Sequence, residues 1–536
     1  MPYSNGEIHL GHIVSTYLPA DIFTRFLKLS GKQAIHVCGS DDYGTPVLIK
    51  AELEKVKPED YVLGWWERDK QDFKSAGIEF DIFHKTHSLE NIQLVQYFFE
   101  VLNKKGFIFI KEIEQPYCEY DKKFLPDRYV KGTCPFCGAA EQYSDSCEVC
   151  GRSIQPGEIK DPHCAICGRQ PVNKKSLHYF FKLSKFTEKL KEWLKKNENL
   201  HPEIKNYVLQ WVKDGLRDWD ISRDIGWGVP IPEAKNKVLY GWFDNHIGYI
   251  TFALKYFSDR KKDGKKFWNS AKIYHFIGKD IVYHHYLFLP AMRLGEGTFK
   301  LPDFIPVRGH LLLQNQKFSK SRGWYISLRD FTNSFPADYL RFYLASITPY
   351  SQADINFDWD EFQARINNEL VANIGNFIHR TLTFIWQNFD GKVPKAVKYD
   401  EADKEFEKKL TSISSEVSKD LEKIELDKAL RKILEFSKFC NQYFQLKEPW
   451  KTKNSTCLYL SINAVRTLAI LLEPYLPFSV DRLWQHLNLK ESVHEQKWES
   501  ASELEIKSGH KINKPDILFK KVEDEQIKTQ KDKLPK

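Results

Sequence analysis

Two histidines stand three residues apart at the start of the chain, His9 and His12 in GEIHLGHIV, with Gly11 between them. They open a run whose apolar residues recur at helical spacing. A helix N-terminus carries partial positive charge and unpaired N–H groups, so it attracts phosphate, and two imidazoles on its first turns add donors. Gly11 leaves room for a flat nucleotide to approach. Far along the chain, KFSKS sets Lys317 and Lys320 around a short basic loop whose serines can donate to oxygens. Each motif alone is weak, because surface histidines and Lys–Ser loops are common. Together they suit chemistry that breaks a triphosphate. The histidines would stabilise charge growing on the α-phosphate, and the lysines would hold the departing pyrophosphate. Such catalysis works by positioning and electrostatics and needs no protein nucleophile.

A second constellation is built of sulfur. Of ten cysteines, six form the pairs Cys134/Cys137, Cys147/Cys150 and Cys164/Cys167. Thiolates at i and i+3 on a tight turn grip one metal ion, and a second pair completes a tetrahedron; four thiolates favour zinc in a closed, structural site. Cys134, Cys137, Cys147 and Cys150 are the most economical set of four. Cys164 and Cys167 then need partners, and Cys118 and Asp121 in YCEYD repeat the spacing. A rearranged pairing satisfies the spacing as well, so one or two zinc ions are expected. Clustered pairs, with no signal-peptide pattern in MPYSNGEIHLGH, favour metal over disulfides and a cytoplasmic setting.

These residues need a scaffold. At 536 residues the chain is too long for one core, and three or four units are expected. No uninterrupted apolar run of about 18 residues occurs, so no membrane span is indicated. The net charge of +8 is compatible with a polyanionic partner without demanding one. Residues 8–29 carry a helical stripe of Ile8, Ile13, Leu18, Ile22 and Phe26, and Gly31 ends it. QAIHVCGSD then predicts a buried strand ending at Asp41, and helices are predicted over 58–75 and 88–105. This β/α alternation implies a parallel sheet with its ligand at the carboxyl ends of the strands. Between 115 and 178 helical periodicity gives way to Cys, Gly and Pro, which predicts an inserted metal-held module. KIYHFIGKDIVYHH carries a strand, a glycine turn and a helix start. Beyond 360 the chain turns helical, with patterns over 361–388, 401–422, 427–445 and 458–487. The polar, lysine-rich end reads as disordered apart from the apolar patch PDILF.

PYSNGEIHLGH, GSDDYGTP, FLPDRYVKGTCPFC, WDISRD, HFIGKDIVYHH, KFSKSRG, KEPW and GHKINKPDILFKK follow one another in order. In these blocks the chain resembles the class I aminoacyl-tRNA synthetases, whose signatures take the forms HIGH and KMSKS, and the methionine-specific branch in particular. The resemblance covers nearly all of 1–525. It implies a Rossmann-like α/β catalytic domain in two halves, 1–114 and 179–325, interrupted by a zinc-knuckle insertion at 115–178. A stem-contact linker at 326–360, an all-α anticodon-binding bundle at 361–500 and a partly disordered extension at 501–536 would follow. The implied reaction activates L-methionine with Mg2+-ATP and then esterifies the terminal adenosine of tRNA(Met).

The resemblance also implies residue roles. His9, Gly11 and His12 meet the ATP phosphates; Gly278, Lys279 and Asp280 border the nucleotide; Lys317 and above all Lys320 act from a mobile loop, with Phe318 in place of the usual methionine. Arg223 matches a basic residue of the active site. Methionine is uncharged and soft at sulfur, and needs an apolar cup with a carboxylate for its amino group. Tyr3, Trp242, Tyr249, Ile281 and His285 match that cup, and Asp41 the carboxylate. Asn245 and His246 stand where the family often has small residues or proline, so the pocket wall is expected to differ in detail. In the bundle Trp450 would stack on an unpaired base while Asn376 and Arg380 read its edge, which implies a CAU anticodon. In this family a central strand precedes the first signature; the chain as given is expected to lack it and to begin at an internal Met. With no further domain after PDILFKK, a monomer is expected. Two alternatives share some features. Another class I synthetase, for leucine, isoleucine, valine or cysteine, shares the signatures, although the large branched-chain enzymes carry an editing insertion for which the short cysteine-rich one leaves little room. A non-catalytic zinc-ribbon tRNA binder explains the cysteines and the charge but not the two signatures.

Overall fold

A computed structural model describes residues 1–144, 147, 149, 154, 158–320 and 322–535. The predicted first helix is present as three consecutive pieces: a turn at Leu10–His12, a wider π-helical turn at Ile13–Tyr17, and α1 (Leu18–Leu29). Its stripe of Ile8, Ile13, Leu18, Ile22 and Phe26 is buried as the periodicity requires. After Gly31, at φ +70, the chain enters β1 (Val37–Ser40), which ends just before Asp41. α2 (Pro58–Ser75) leads to β2 (Ile82–Lys85), which pairs with β1 in parallel, Val37 opposite Ile82. α3 (Leu89–Lys104) starts at Ser88, whose side chain accepts from the Asn91 N–H.

β3 (Ile108–Cys118) and β4 (Val172–Phe181) form a long antiparallel ladder, Ile108 opposite Phe181 through Tyr117 opposite Val172. This ladder, edged by the short strands Lys123–Phe124 and Trp219–Asp220, carries the cysteine-rich insertion between its two long strands. Cys118, Leu125, Tyr129, Val130, Cys134, Cys147 and Cys164 make the insertion's own small buried cluster. The chain then returns to α4 (Gly241–Ser258) and to β5 (Ile277–Gly278), which pairs in parallel with β6 (Val307–Arg308). The parallel sheet expected from the β/α alternation is thus present as short, separate parallel pairings among the described residues, β1–β2 and β5–β6 among them. The strands are short because they run directly into turns; Ile277–Gly278 passes at once into the turn Lys279–Ile281. The carboxyl ends of β1 and β5 still bring Asp41 and Gly278 to one cavity. β7 (Leu311–Leu313) lies between the hairpin partner β8 (Gln316–Lys317) and the parallel strand β9 (Ile355–Phe357).

The remainder is helical. α5 (Trp359–Arg365), a π-helical stretch at Ile366–Gly375 and α6 (Asn376–Asn388) form one long rod. α7 (Glu401–Leu421), α8 (Leu426–Lys447), α9 (Ser455–Leu472) and α10 (Pro477–Leu487) complete the bundle. The pattern expected as one helix over 458–487 is two, α9 and α10. Pro474 and Pro477 interrupt it, because proline lacks the N–H that a continuous helix needs, and Pro477 is tolerated as the first residue of α10. α9 is long and apolar enough to cross a membrane, yet 89% of it is buried inside the bundle.

One buried cluster joins the first helix to the bundle, from Ile13 and Phe26 to Leu430 and Tyr475. Charged groups are buried at that junction. Asp21 accepts from Arg25 Nε at 3.0 Å and from Arg341 Nη2 at 2.7 Å. Arg25 Nη1 donates to Glu473 at 2.8 Å, and Arg341 also donates to the carbonyls of Pro474, Tyr475 and Gly77. The end of the chain corrects the expectation of partial disorder over 501–536. Ile506, Ile512, Leu518, Phe519 and Val522 are buried, the Tyr339 hydroxyl donates to the Lys520 carbonyl at 2.6 Å, and α11 (Asp524–Asp532) ion-pairs through Lys531 to Asp360. The segment docks mainly as extended chain, so its apolar residues follow no helical or strand period.

Candidate active site

A cavity of about 770 Å³ opens at the carboxyl ends of β1 and β5. His9, Gly11, His12, Gly278, Asp280, Lys317 and Phe318 line one end; Tyr3, Asp41, Trp242, Tyr249, Ile281 and His285 line the other, and Arg223 lies on the wall. Main-chain pairing ties the first signature to the stretch just after the second. The Leu10 N–H donates to the Ile326 carbonyl at 3.1 Å, and the Leu328 N–H to that of Ile8 at 2.8 Å. The Phe318 ring then lies 5.2 Å from the His9 ring. Lys320 reaches back over Gly6, where an added Cβ would come within 3.1 Å of its Nζ.

His9 and His12 stack, centroids 3.7 Å apart and planes 18° apart. Gly11 keeps this stack unstrained, since a Cβ would sit 3.0 Å from the His9 ring and make the ring shift. The His9 N–H donates to His12 Nδ1 at 3.2 Å, which leaves the ring proton of neutral His12 on Nε2, a donor. Burial and then the Lys320 charge push His9 down to about 3, and burial with the neighbouring His9 and Lys320 charges holds His12 well below its usual range. Both rings are therefore neutral hydrogen-bond donors near pH 7. Lys279 is ion-paired with Asp354 at 2.6 Å, and Asp280 faces His310 at 3.4 Å. Burial raises the Asp280 carboxyl, but the His310 hydrogen bond and charge outweigh it and the net shift is downward.

At the other end the Trp242 indole stacks on His284, 3.7 Å apart at 11°. His285 Nδ1 lies 3.1 Å from the Ile281 carbonyl, so it carries the ring proton, and Nε2 accepts from the Tyr249 hydroxyl at 3.2 Å. Burial pushes His285 down to about 3, so this ring too is neutral. His246 is buried, edge-on to His285 at 5.2 Å, with both ring nitrogens unpartnered. The Arg223 guanidinium lies over Tyr240 at 3.9 Å and is ion-paired with Asp220 at 3.6 Å.

The cysteines form two groups. Cys118, Asp121, Cys164 and Cys167 each bring one ligand atom within 4.8 Å of the others, and Cys134, Cys137 and Cys147 do the same. Cys150 lies outside the described residues. Three thiols with a carboxylate, and three thiols at knuckle spacing, fit a tetrahedral metal ion such as zinc. On the bundle, Asn376 and Arg380 line a second depression of about 750 Å³, and the Arg380 guanidinium lies 5.0 Å over the Trp450 ring, which is 39% exposed. The three residues expected to act together there are thus neighbours.

Some lining residues were not anticipated. Arg128 and Tyr43 face the first cavity, and both lie inside blocks that carried the resemblance, FLPDRYVKG and GSDDYGTP. His310 and Asp354, the partners of Asp280 and Lys279, gave no motif. Neither did Asn441, which accepts from the Asn376 amide at 3.0 Å.

A two-signature cavity on parallel strands, followed by a helical bundle, defines a class I aminoacyl-tRNA synthetase. The family model described as tRNA synthetases class I (M) matches residues 1–382, and that described as the anticodon-binding domain of tRNA ligase matches 403–532. Methionine–tRNA ligases of Methanopyrus kandleri and Methanocaldococcus jannaschii are 44% and 43% identical to the whole chain, which covers 81% and 80% of them. That of Pyrococcus furiosus is 42% identical over 98% of the chain and 75% of its own length. The fold is similar to that of Mycobacterium tuberculosis methionyl-tRNA synthetase bound by methionyl-adenylate, with a TM-score of 0.81, 24% identity and coverage of 97% of this chain and 98% of that one. The chain belongs to the methionine–tRNA ligase family.

Proposed function

We propose that the chain joins L-methionine to ATP and then to tRNA(Met). A methionine carboxylate oxygen attacks the α-phosphorus, the bond to the β-phosphate oxygen breaks, and pyrophosphate leaves methionyl-adenylate. The methionyl group then passes to the terminal adenosine of the tRNA and AMP departs. The observation that carries this is the meeting of the two signatures: Phe318 of KFSKS lies against His9 of HLGH in the cavity lining, and main-chain bonds tie the stretch just after KFSKS, Ile326 and Leu328, to Leu10 and Ile8. Neutral His9 and His12 donate to the α-phosphate oxygens as charge develops, and Lys317 and Lys320 hold the leaving group. Gly278, Lys279 and Asp280 border the nucleotide. Mg2+ arrives with ATP and shares the phosphate charge.

Trp242, Tyr249, Ile281 and His285 form the cup for the thioether side chain, with Tyr3 beside it, and Asp41 takes the ammonium. Arg223 supplies positive charge on the wall. Cys118, Asp121, Cys164 and Cys167 hold one structural zinc ion, and Cys134, Cys137 and Cys147, with Cys150, hold another; such thiols persist in a reducing, cytoplasmic compartment. Asn376, Arg380 and Trp450 read an anticodon base of the CAU triplet. Pyrophosphate exchange with each amino acid in turn tests the assignment. Exchange that depends on methionine is expected. Exchange with leucine but not methionine would assign a different synthetase, and none with any amino acid would favour a tRNA-binding protein without catalysis.

A further inference from the structure

Among the described residues three carboxylates line the cavity; Asp280 faces His310 and Asp354 is paired with Lys279, so Asp41, beside Tyr3, is the one offered to the amino end of a substrate, and it is held from several sides. Its N–H donates to the Pro2 carbonyl at 2.7 Å, and its carbonyl accepts from the Ser4 N–H at 2.9 Å. Its two carboxylate oxygens differ. Oδ2 accepts from the Asn245 amide Nδ2 at 2.6 Å, whereas Oδ1 is buried with no hydrogen-bond partner. Asn245 is 4% exposed and lines the cavity from the second turn of α4. It lies three residues after Trp242 and four before Tyr249, so all three fall on one helical face. An alanine or proline at this position would present no donor to Asp41.

We propose that Asn245 is a positioning residue for amino-acid recognition: its amide grips one oxygen of Asp41 and so fixes the carboxylate at the wall of the cavity where the substrate ammonium binds. This rests on Asp41 being the ammonium acceptor. A buried carboxylate with few donors is costly unless a charged partner arrives, and the substrate ammonium is such a partner. The amide also favours the ionised carboxylate that an ammonium requires. Around Asp41 stand the Met1 ammonium and Tyr3 from the first residues, Asp42 next in sequence, Tyr17 from the π-helical turn, and Asp244 and Tyr249 from α4. Two of these are carboxyls that oppose ionisation of Asp41, which leaves Asn245 as the uncharged side chain donating to it.

The test compares Asn245→Ala, the isosteric Asn245→Asp and Asp41→Asn in methionine-dependent pyrophosphate exchange at pH 8. Inhibition by the des-amino analogue of methionine is measured alongside. Asn245→Ala is expected to raise KM for methionine about tenfold, as for loss of a hydrogen bond to a charged group, with kcat and KM for ATP within about twofold. Asn245→Asp keeps the shape, loses the donor and adds like charge, and is expected to raise KM further. Inhibition by the des-amino analogue should be unchanged in both, because it has no ammonium to place. Wild-type KM for methionine in Asn245→Asp would overturn the proposal, as would equal weakening of methionine and its des-amino analogue, which would make Asn245 a packing residue. If Asp41→Asn itself leaves KM for methionine unchanged, the assignment of Asp41 fails first. Loss in Asp41→Asn with silence in both Asn245 variants overturns only the role of Asn245.

Discussion

The electrostatics of single side chains set the pH behaviour of the cavity. Burial raises Asp41 to about 7 even though the Met1 ammonium and the Asn245 amide pull it down. An ammonium binds the ionised carboxylate, so KM for methionine should climb as pH falls from 8 to 6, and exchange assays across that range will show the rise. His9 and His285 behave in the opposite sense. Both titrate near 3, so neither ring changes charge between pH 5 and 8 and neither should leave a step in kcat over that interval. Lys320→Ala should lower adenylate formation by about 10²–10³-fold, as for removal of a preorganised donor to developing charge, with an unaltered melting temperature. At this scale much was legible in the sequence. HLGH and KFSKS are each common patterns alone, and it is their presence together in one chain that points to phosphate chemistry. The pairing of Asn245 with Asp41 was not legible, because their 204-residue separation is closed only by the fold.

Short elements carry the next layer. The long β3–β4 arm holds the insertion, and four side chains from two separate stretches of chain meet around one point there: Cys118 at the end of β3 with Asp121 just after it, and Cys164 with Cys167 in the third knuckle. Cys164→Ser should remove about one zinc ion per chain by elemental analysis and expose the insertion to protease while adenylate formation persists. The i,i+3 spacing made both pairs visible in advance, although the spacing alone left their partners open. The bundle places Trp450 in the four-residue helix Pro449–Thr452, with Glu448 before it in the left-handed region at φ +41. Trp450→Ala should lower aminoacylation of tRNA far more than adenylate formation; equal loss of both would make the indole a packing residue. The terminal segment was misread because Ile512, Leu518 and Phe519 are spaced for an irregular strap, which leaves no periodic signal.

Across the whole molecule, the catalytic half and the bundle meet at a buried set of charges. Asp21 sits between two guanidiniums, Arg25 and Arg341, and Arg25 also binds Glu473, which is 2.8 Å from His494. Removing one member leaves others buried and unpaired, so Asp21→Ala should destabilise the chain by about 3–5 kcal/mol in denaturant titration. Burial alone would raise the Asp21 carboxyl, but Arg25 and Arg341 bring it below its usual value. Its contribution is therefore complete above about pH 4 and is lost as pH falls through the depressed folded value. His494 has the opposite sign. Its hydrogen bond to Glu473 raises it, so its contribution is complete below about pH 6.5 and fades as pH rises through the folded value. Stability should thus decline on both sides of a mildly acidic optimum. None of this junction was legible in the sequence, because Asp21, Arg341 and Glu473 sit in ordinary helical surroundings and meet only in three dimensions.

The π-helical turns have a consequence for insertions and deletions. Ile13–Tyr17 follows His12, His284–Phe288 contains His285 and follows Ile281, and Ile366–Gly375 ends one residue before Asn376. Each adds residues to a turn of helix, and one residue changes the angular phase of everything beyond it by about 100°. Deleting a single residue within any of the three would leave every reactive side chain in the sequence yet aim the neighbouring set away from its ligand. In a scan of single-residue deletions, these stretches should tolerate shortening least, even where substitutions at the same positions are accepted.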